Sequence, residues 1–173
     1  MEKGSRKYID IFARYLIIIL IALPNLFIFY KIFTPLTTLP VFFLINIFFN
    51  ATLSGTTILL QHISIEIIPA CVAGSAYYLL FILNLSVPQI KLSKRIKMVL
   101  FAFVTLLLVN IIRIFLLSLM AISGSSYFDI THKIFWYLLS IVFVVGIWFT
   151  EVKIFKIKQI PVYSDLKSLI KQI

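Results

Sequence analysis

From Met98 to Met120 the chain reads MVLFAFVTLLLVNIIRIFLLSLM, an apolar run whose only formal charge is Arg113. At about 1.5 Å of rise per residue a helix of this length crosses roughly 30 Å of hydrocarbon, and Arg113 falls well inside either end. A guanidinium cannot shed its proton, and placing one near the middle of a membrane helix costs about 2.5 to 3.5 kcal/mol even on insertion-based scales. Unless it snorkels to the interface, Arg113 must face protein or a watery cleft. Asn110 lies three residues earlier on the same helical face, so the two residues form one polar stripe on an aliphatic cylinder. The bland reading of the stripe is interfacial snorkelling; the sharper one is an active or binding site.

The rest of the chain belongs to the same setting. Of its 173 residues 62% are hydrophobic and 13% charged, about half the charge usual in soluble domains. The expected fold class is an all-α polytopic membrane protein with about four transmembrane helices, an interfacial helix and a short extracellular hairpin. It forms one integral-membrane domain over 1–173. The net charge of +10 comes from lysines and arginines clustered just beyond apolar runs, the positive-inside pattern, which argues against nucleic acid as a partner. A single cysteine excludes an internal disulfide, and His62 and His132 are too far apart for a local zinc motif, so neither a metal nor another cofactor is expected. The first apolar run leads through Pro24 and Asn25 into more aromatic sequence without a small-residue cleavage site, and reads as an anchor.

Lys3, Arg6, Lys7 and Arg14 place the N-terminus in the cytoplasm. Ile9–Tyr30 is then the first helix, running outward and kinked by Pro24. The next basic cluster, Lys91, Lys94, Arg95 and Lys97, is also cytoplasmic. The segment between must therefore cross an even number of times; none is the preferred count, and two short crossings are the alternative. Leu36–Thr52 reads as an interfacial helix anchored by Phe42, Phe43, Phe48 and Phe49. Thr56–Pro69, with its β-branched alternation, reads as an extracellular hairpin carrying His62 and Glu66 as solvated side chains. Ala70–Ile90 runs inward, the Arg113 helix returns outward, Ser123–Thr131 is an outer loop, and Ile134–Thr150 runs inward to a basic cytoplasmic tail, 151–173. Thirteen of sixteen basic residues then lie inside.

This topology brings Cys71, Arg113 and His132, from three different helices, to similar depth near the outer face. A lone membrane cysteine is usually a small hydrophobe, and a histidine at a helix start is commonly an interfacial cap. Together they supply a nucleophile, a proton carrier and a fixed cation, the parts of thiol acyl transfer.

Four stretches of the chain also resemble one family. They are IIPAC ending at Cys71, the CVAG that continues from it, VNIIRI over Val109 to Ile114, and FDITHKIFW over Phe128 to Trp136. In order and spacing they are similar to the exosortases and archaeosortases, membrane-embedded cysteine transpeptidases, over roughly 36–148. The resemblance implies Cys71 as nucleophile, Arg113 as the family's arginine, and His132 at a position held by histidine in many members and arginine in some. Many members carry CSG or CTG at the nucleophile, where this chain has Cys71, Val72, Ala73 and Gly74. The implied substrates are exported proteins ending in a short motif, a transmembrane helix and a basic tail. They are cut just outside the cell membrane and transferred to a lipid or other amine acceptor.

The expected mechanism has the Cys71 thiolate attack a peptide carbonyl, with His132 as general acid and base. Arg113 stabilises the oxyanion, and Asn110 orients it as a substrate-binding residue. The alternative is a non-catalytic transporter or assembly factor in which Arg113 binds an anion and Cys71 merely packs.

Overall fold

A computed structural model describes residues 2–170, with side chains described at 8–138, 140–165 and 167. The side chains of Lys3, Arg6 and Lys7, and residues 171–173 of the tail, lie outside that range. The fold is mostly helical and is built around α5 (Leu92–Ile122), whose 31 residues carry two opposite stripes. Leu92, Ile96, Leu100, Val104, Leu108, Ile112 and Leu116 are exposed at a spacing of four, whereas Met98, Ala102, Leu106, Asn110, Arg113 and Leu117 are buried. Arg113 thus faces protein, as the cost of exposing it to lipid requires.

The N-terminal half departs from expectation. α1 (Glu2–Ala22) and α2 (Phe27–Phe48) are separate helices, so Ile9–Tyr30 is not one kinked span. Pro24 offers no N–H to the preceding turn, and Asn25 and Leu26 then take φ of 48° and 59°. Two successive left-handed residues end a helix, whereas a proline kink does not. Nor is Leu36–Thr52 an interfacial helix of its own. α2 runs through Pro35 and Pro40, burying Phe29, Phe33, Thr37, Val41 and Ile45 in one stripe. Packing of that stripe against α5 outweighs the two lost backbone hydrogen bonds. α2 and α5 are each long and apolar enough to cross a membrane.

Phe33 stacks on Tyr77 of α4 (Gly74–Leu85) at 3.7 Å between ring centroids, and Phe103 of α5 meets both rings edge-on. Between apolar helices in lipid such close packing supplies the association that the hydrophobic effect cannot. Gly74 allows it: a Cβ there would stand 2.7 Å from the Tyr30 ring.

The expected Ala70–Ile90 helix is also broken, into α3 (Pro69–Val72) and α4, at Ala73 with φ of 61°. α5 secures both ends of α4. Arg95 donates to the carbonyls of Asn84, Leu85 and Val87 at its C-terminus, and Asn110 and Arg113 serve the break at its start. About 22 Å of helix separates residues 95 and 110, matching the length of chain they clasp.

The hairpin is a three-stranded antiparallel sheet, β1 (Thr52–Ser54), β2 (Thr57–Leu59) and β3 (Ser64–Glu66). Gly55 supplies the positive φ of the two-residue β1–β2 turn, 61°. The last core helix starts at α6 (Phe128–Ile134), before the expected Ile134, and passes through a π-helical turn, Phe135–Leu139, into α7 (Ser140–Ile154). Across a 44° bend, α6 and α7 together make a third candidate span.

The tail is not simply a basic extension. Glu151 is fully buried in α7, where its carboxylate accepts from Asn84. α8 (Tyr163–Ile170) docks through Asp165, which accepts two hydrogen bonds from the buried Arg14 guanidinium at 3.1 Å each. Arg14 also donates to the Leu85 carbonyl, so α1, α4 and α8 meet at one polar joint.

Candidate active site

The α3–α4 break frees the carbonyls of Cys71 and Val72 from helical pairing. A buried carbonyl without a donor is costly, and α5 answers both. Asn110 Nδ2 donates to Cys71 O at 2.9 Å and to Val72 O at 3.4 Å. Arg113 Nη2 donates to Cys71 O at 3.0 Å, while Nη1 donates to Ser140 Oγ at 3.3 Å. Ser140 in turn donates to Phe135 O at 3.0 Å, a carbonyl in the π-helical turn. One side chain therefore ties the nucleophile candidate to α5 and to the irregular start of α7. π-turns and left-handed residues such as Ala73 recur at functional sites, because their strain must be held by specific contacts.

Between β3, α3, α5 and α6 lies a cavity of about 350 Å³. Cys71, Arg113 and His132 all line it, although 61 residues separate the first from the last. The remainder of the wall is chiefly apolar, with Ile114, Leu117, Phe135 and Trp136. His132 is half-buried in α6, its ring stacked on Phe128 at 5.5 Å and edge-on to Trp136 at 5.8 Å. It is therefore not a cap at a helix start. The i−4 and i+4 neighbours hold the ring in place, and no hydrogen bond among the described residues engages its nitrogens. Arg113 makes no ion pair among the described residues, so its charge is unspent in a largely apolar chamber. A negative charge developing there meets a fixed cation in a low-dielectric setting.

Asn110 occupies a different place from the one expected. It is buried at 3% exposure, lies outside the large cavity's wall and makes no hydrogen bond to Arg113. Its partners are the Cys71 and Val72 carbonyls, so it positions the nucleophile candidate rather than the arginine. Glu66, read as solvated, is exposed but lines the cavity from β3, whereas His62 stands outside its wall. Ser118 and Ser140 join the site without advance notice. Ser140 lies inside the apolar run Ile134–Thr150, and nothing local in the sequence pairs it with Arg113.

No protein-family model matches the chain, and neither a curated protein nor a solved structure matches it.

Proposed function

We propose that the protein is a membrane-embedded cysteine peptidase or transpeptidase. The observation that carries this reading is the meeting of Cys71, Arg113 and His132, from three separate elements, on the wall of one cavity. The Cys71 thiolate attacks a peptide carbonyl carbon, and the oxyanion that forms is stabilised by Arg113. His132, which has taken the Cys71 thiol proton to form that thiolate, passes it to the departing amine as the C–N bond breaks, leaving a thioester on Cys71. An incoming amine or water, deprotonated by His132, attacks the thioester and expels the Cys71 thiolate, which regains its proton from His132 and completes the transfer. Substrates are exported proteins with a C-terminal motif, apolar helix and basic tail, and a membrane lipid is the favoured acceptor.

In this reading four crossings, α2, α3–α4, α5 and α6–α7, carry the chain, with the sheet and cavity at the outer face and both termini inside. Cys71 is then expected to react with a membrane-impermeant thiol reagent in intact cells. Reaction only after permeabilisation would invert the topology.

Arg113→Lys is expected to reduce processing by about tenfold or more although the charge is kept. The planar guanidinium serves Ser140 Oγ and Cys71 O from two nitrogens at once and still faces the cavity, a geometry that a point-charge ammonium does not reproduce. Near-normal processing by the lysine variant would mean that charge alone suffices.

A further inference from the structure

Side chains alternate across a strand, so a cavity beneath one face of a sheet meets every second residue. Here every residue from Ile63 to Ile68 lines the cavity. The cavity therefore abuts the sheet's edge, and in the strand order β1-β2-β3 that edge is β3. Two bonds fix the phase of its ladder: Leu60 N–H donates to Ile63 O at 2.9 Å, and Ile67 N–H to Thr56 O at 3.0 Å. With Ile58 opposite Ile65 in the same register, the hydrogen-bonded pairs are Thr56 with Ile67, Ile58 with Ile65, and Leu60 with Ile63. Thr57 with Glu66 and Leu59 with Ser64 are the intervening, non-bonded pairs. The N–H and C=O groups of Ser64 and Glu66 thus point away from β2, and they have no partner among the described residues. Exposed edges are commonly guarded by short strand length, charged side chains, proline or a bulge. β3, Ser-Ile-Glu, is short and carries the charge of Glu66, but it has no proline, so its outward N–H groups stay available, and the chain leaves it through Ile67, Ile68, Pro69 and Ala70 to Cys71.

We infer that the substrate's scissile segment binds in extended form as a fourth strand on β3, its main chain pairing with Ser64 and Glu66 beside Cys71. This deepens the cysteine-peptidase reading and rests on it. The occupant is a stretch of peptide about as long as the three-residue strand it pairs with. Main-chain pairing supplies affinity whatever the sequence, and the apolar wall of Ile114, Leu117 and Ala121 selects small or apolar side chains on the face turned inward.

The test uses purified protein and two reagents with the same electrophile, chloroacetone and acetyl-Ala-Ala-Ala chloromethyl ketone. Because the chain has one cysteine, modification of Cys71 is followed by peptide mapping. The tripeptide reagent is expected to label Cys71 about tenfold faster or more, the gain that one or two main-chain hydrogen bonds provide. N-methylation at two successive amides, one per reagent, adds the strand signature. One isomer should lose the gain and the other keep it, since successive N–H groups of a strand point in opposite directions. Ser64→Pro deletes an outward N–H without touching a β2 bond, and should bring the ratio of the two rates in that variant close to one. Equal rates for chloroacetone and the tripeptide, or equal sensitivity to the two methylations, would overturn the strand pairing while leaving the cysteine reading intact. Failure of chloroacetone to modify Cys71 in the folded protein, when it does so after denaturation, would sink the nucleophile and with it the proposal.

Discussion

Cys71→Ala is expected to abolish processing of an exported substrate bearing the C-terminal signal, and Cys71→Ser to leave almost none. The serine hydroxyl is far harder to ionise at neutral pH than a thiol, and among the described residues no carboxylate is hydrogen-bonded to His132 to raise its basicity. The fold makes the experiment clean. What Asn110 and Arg113 hold is the backbone carbonyl of Cys71, not its sulfur, so either substitution keeps the clasp on the α3–α4 break. Lost activity then reports chemistry rather than unfolding. The readout is gel mobility of the substrate, with unprocessed precursor accumulating in the membrane. Full processing by Cys71→Ala would remove the enzyme reading and leave a binding or assembly role for Arg113.

His132 carries the second large effect. His132→Ala is expected to slow processing about 10²- to 10⁴-fold, the usual contribution of a general acid or base. Alanine also empties the stack between Phe128 and Trp136, so His132→Phe is the sharper companion: it keeps the aromatic packing and removes both nitrogens. The two variants should be equally impaired. Recovery with phenylalanine would mean that the ring only packs. His132→Arg then separates two roles of the imidazole. Residual activity would point to electrostatic support of the thiolate, and its absence to proton transfer.

Much of the arrangement was legible in local pattern. A lone guanidinium in an apolar run has few tolerable environments, so cost narrows Arg113 to snorkelling or an inward face, and the structure gives it and Asn110 the inward one. The β-branched stretch before Cys71 is indeed strand, although Thr52–Ser54 adds a member outside the expected hairpin, its first residue falling at the end of the expected helix over Leu36–Thr52. The spacing of Phe29, Phe33, Thr37, Val41 and Ile45 was also present in the sequence. It was outweighed by Pro35 and Pro40, which break helices in water but not where a neighbouring helix holds the turn in place.

What only the tertiary structure decided concerns groups whose roles depend on partners far away in the chain. That Ala73 breaks a helix could not be read from an alanine, since its left-handed backbone is tolerated only because α5 supplies donors to the carbonyls it frees. Asn110 looked like a partner of Arg113 because helical spacing reports a shared face, not what the face meets; it meets the Cys71 backbone. Glu66 and Ser140 entered the site by the same route, one through the exposed edge of a short sheet and one through a π-helical turn. Periodicity and charge placement are local quantities, set by the residue and its near neighbours. The convergence of Cys71, Arg113 and His132 on one cavity is set by packing between helices distant in sequence, and no local quantity reports it.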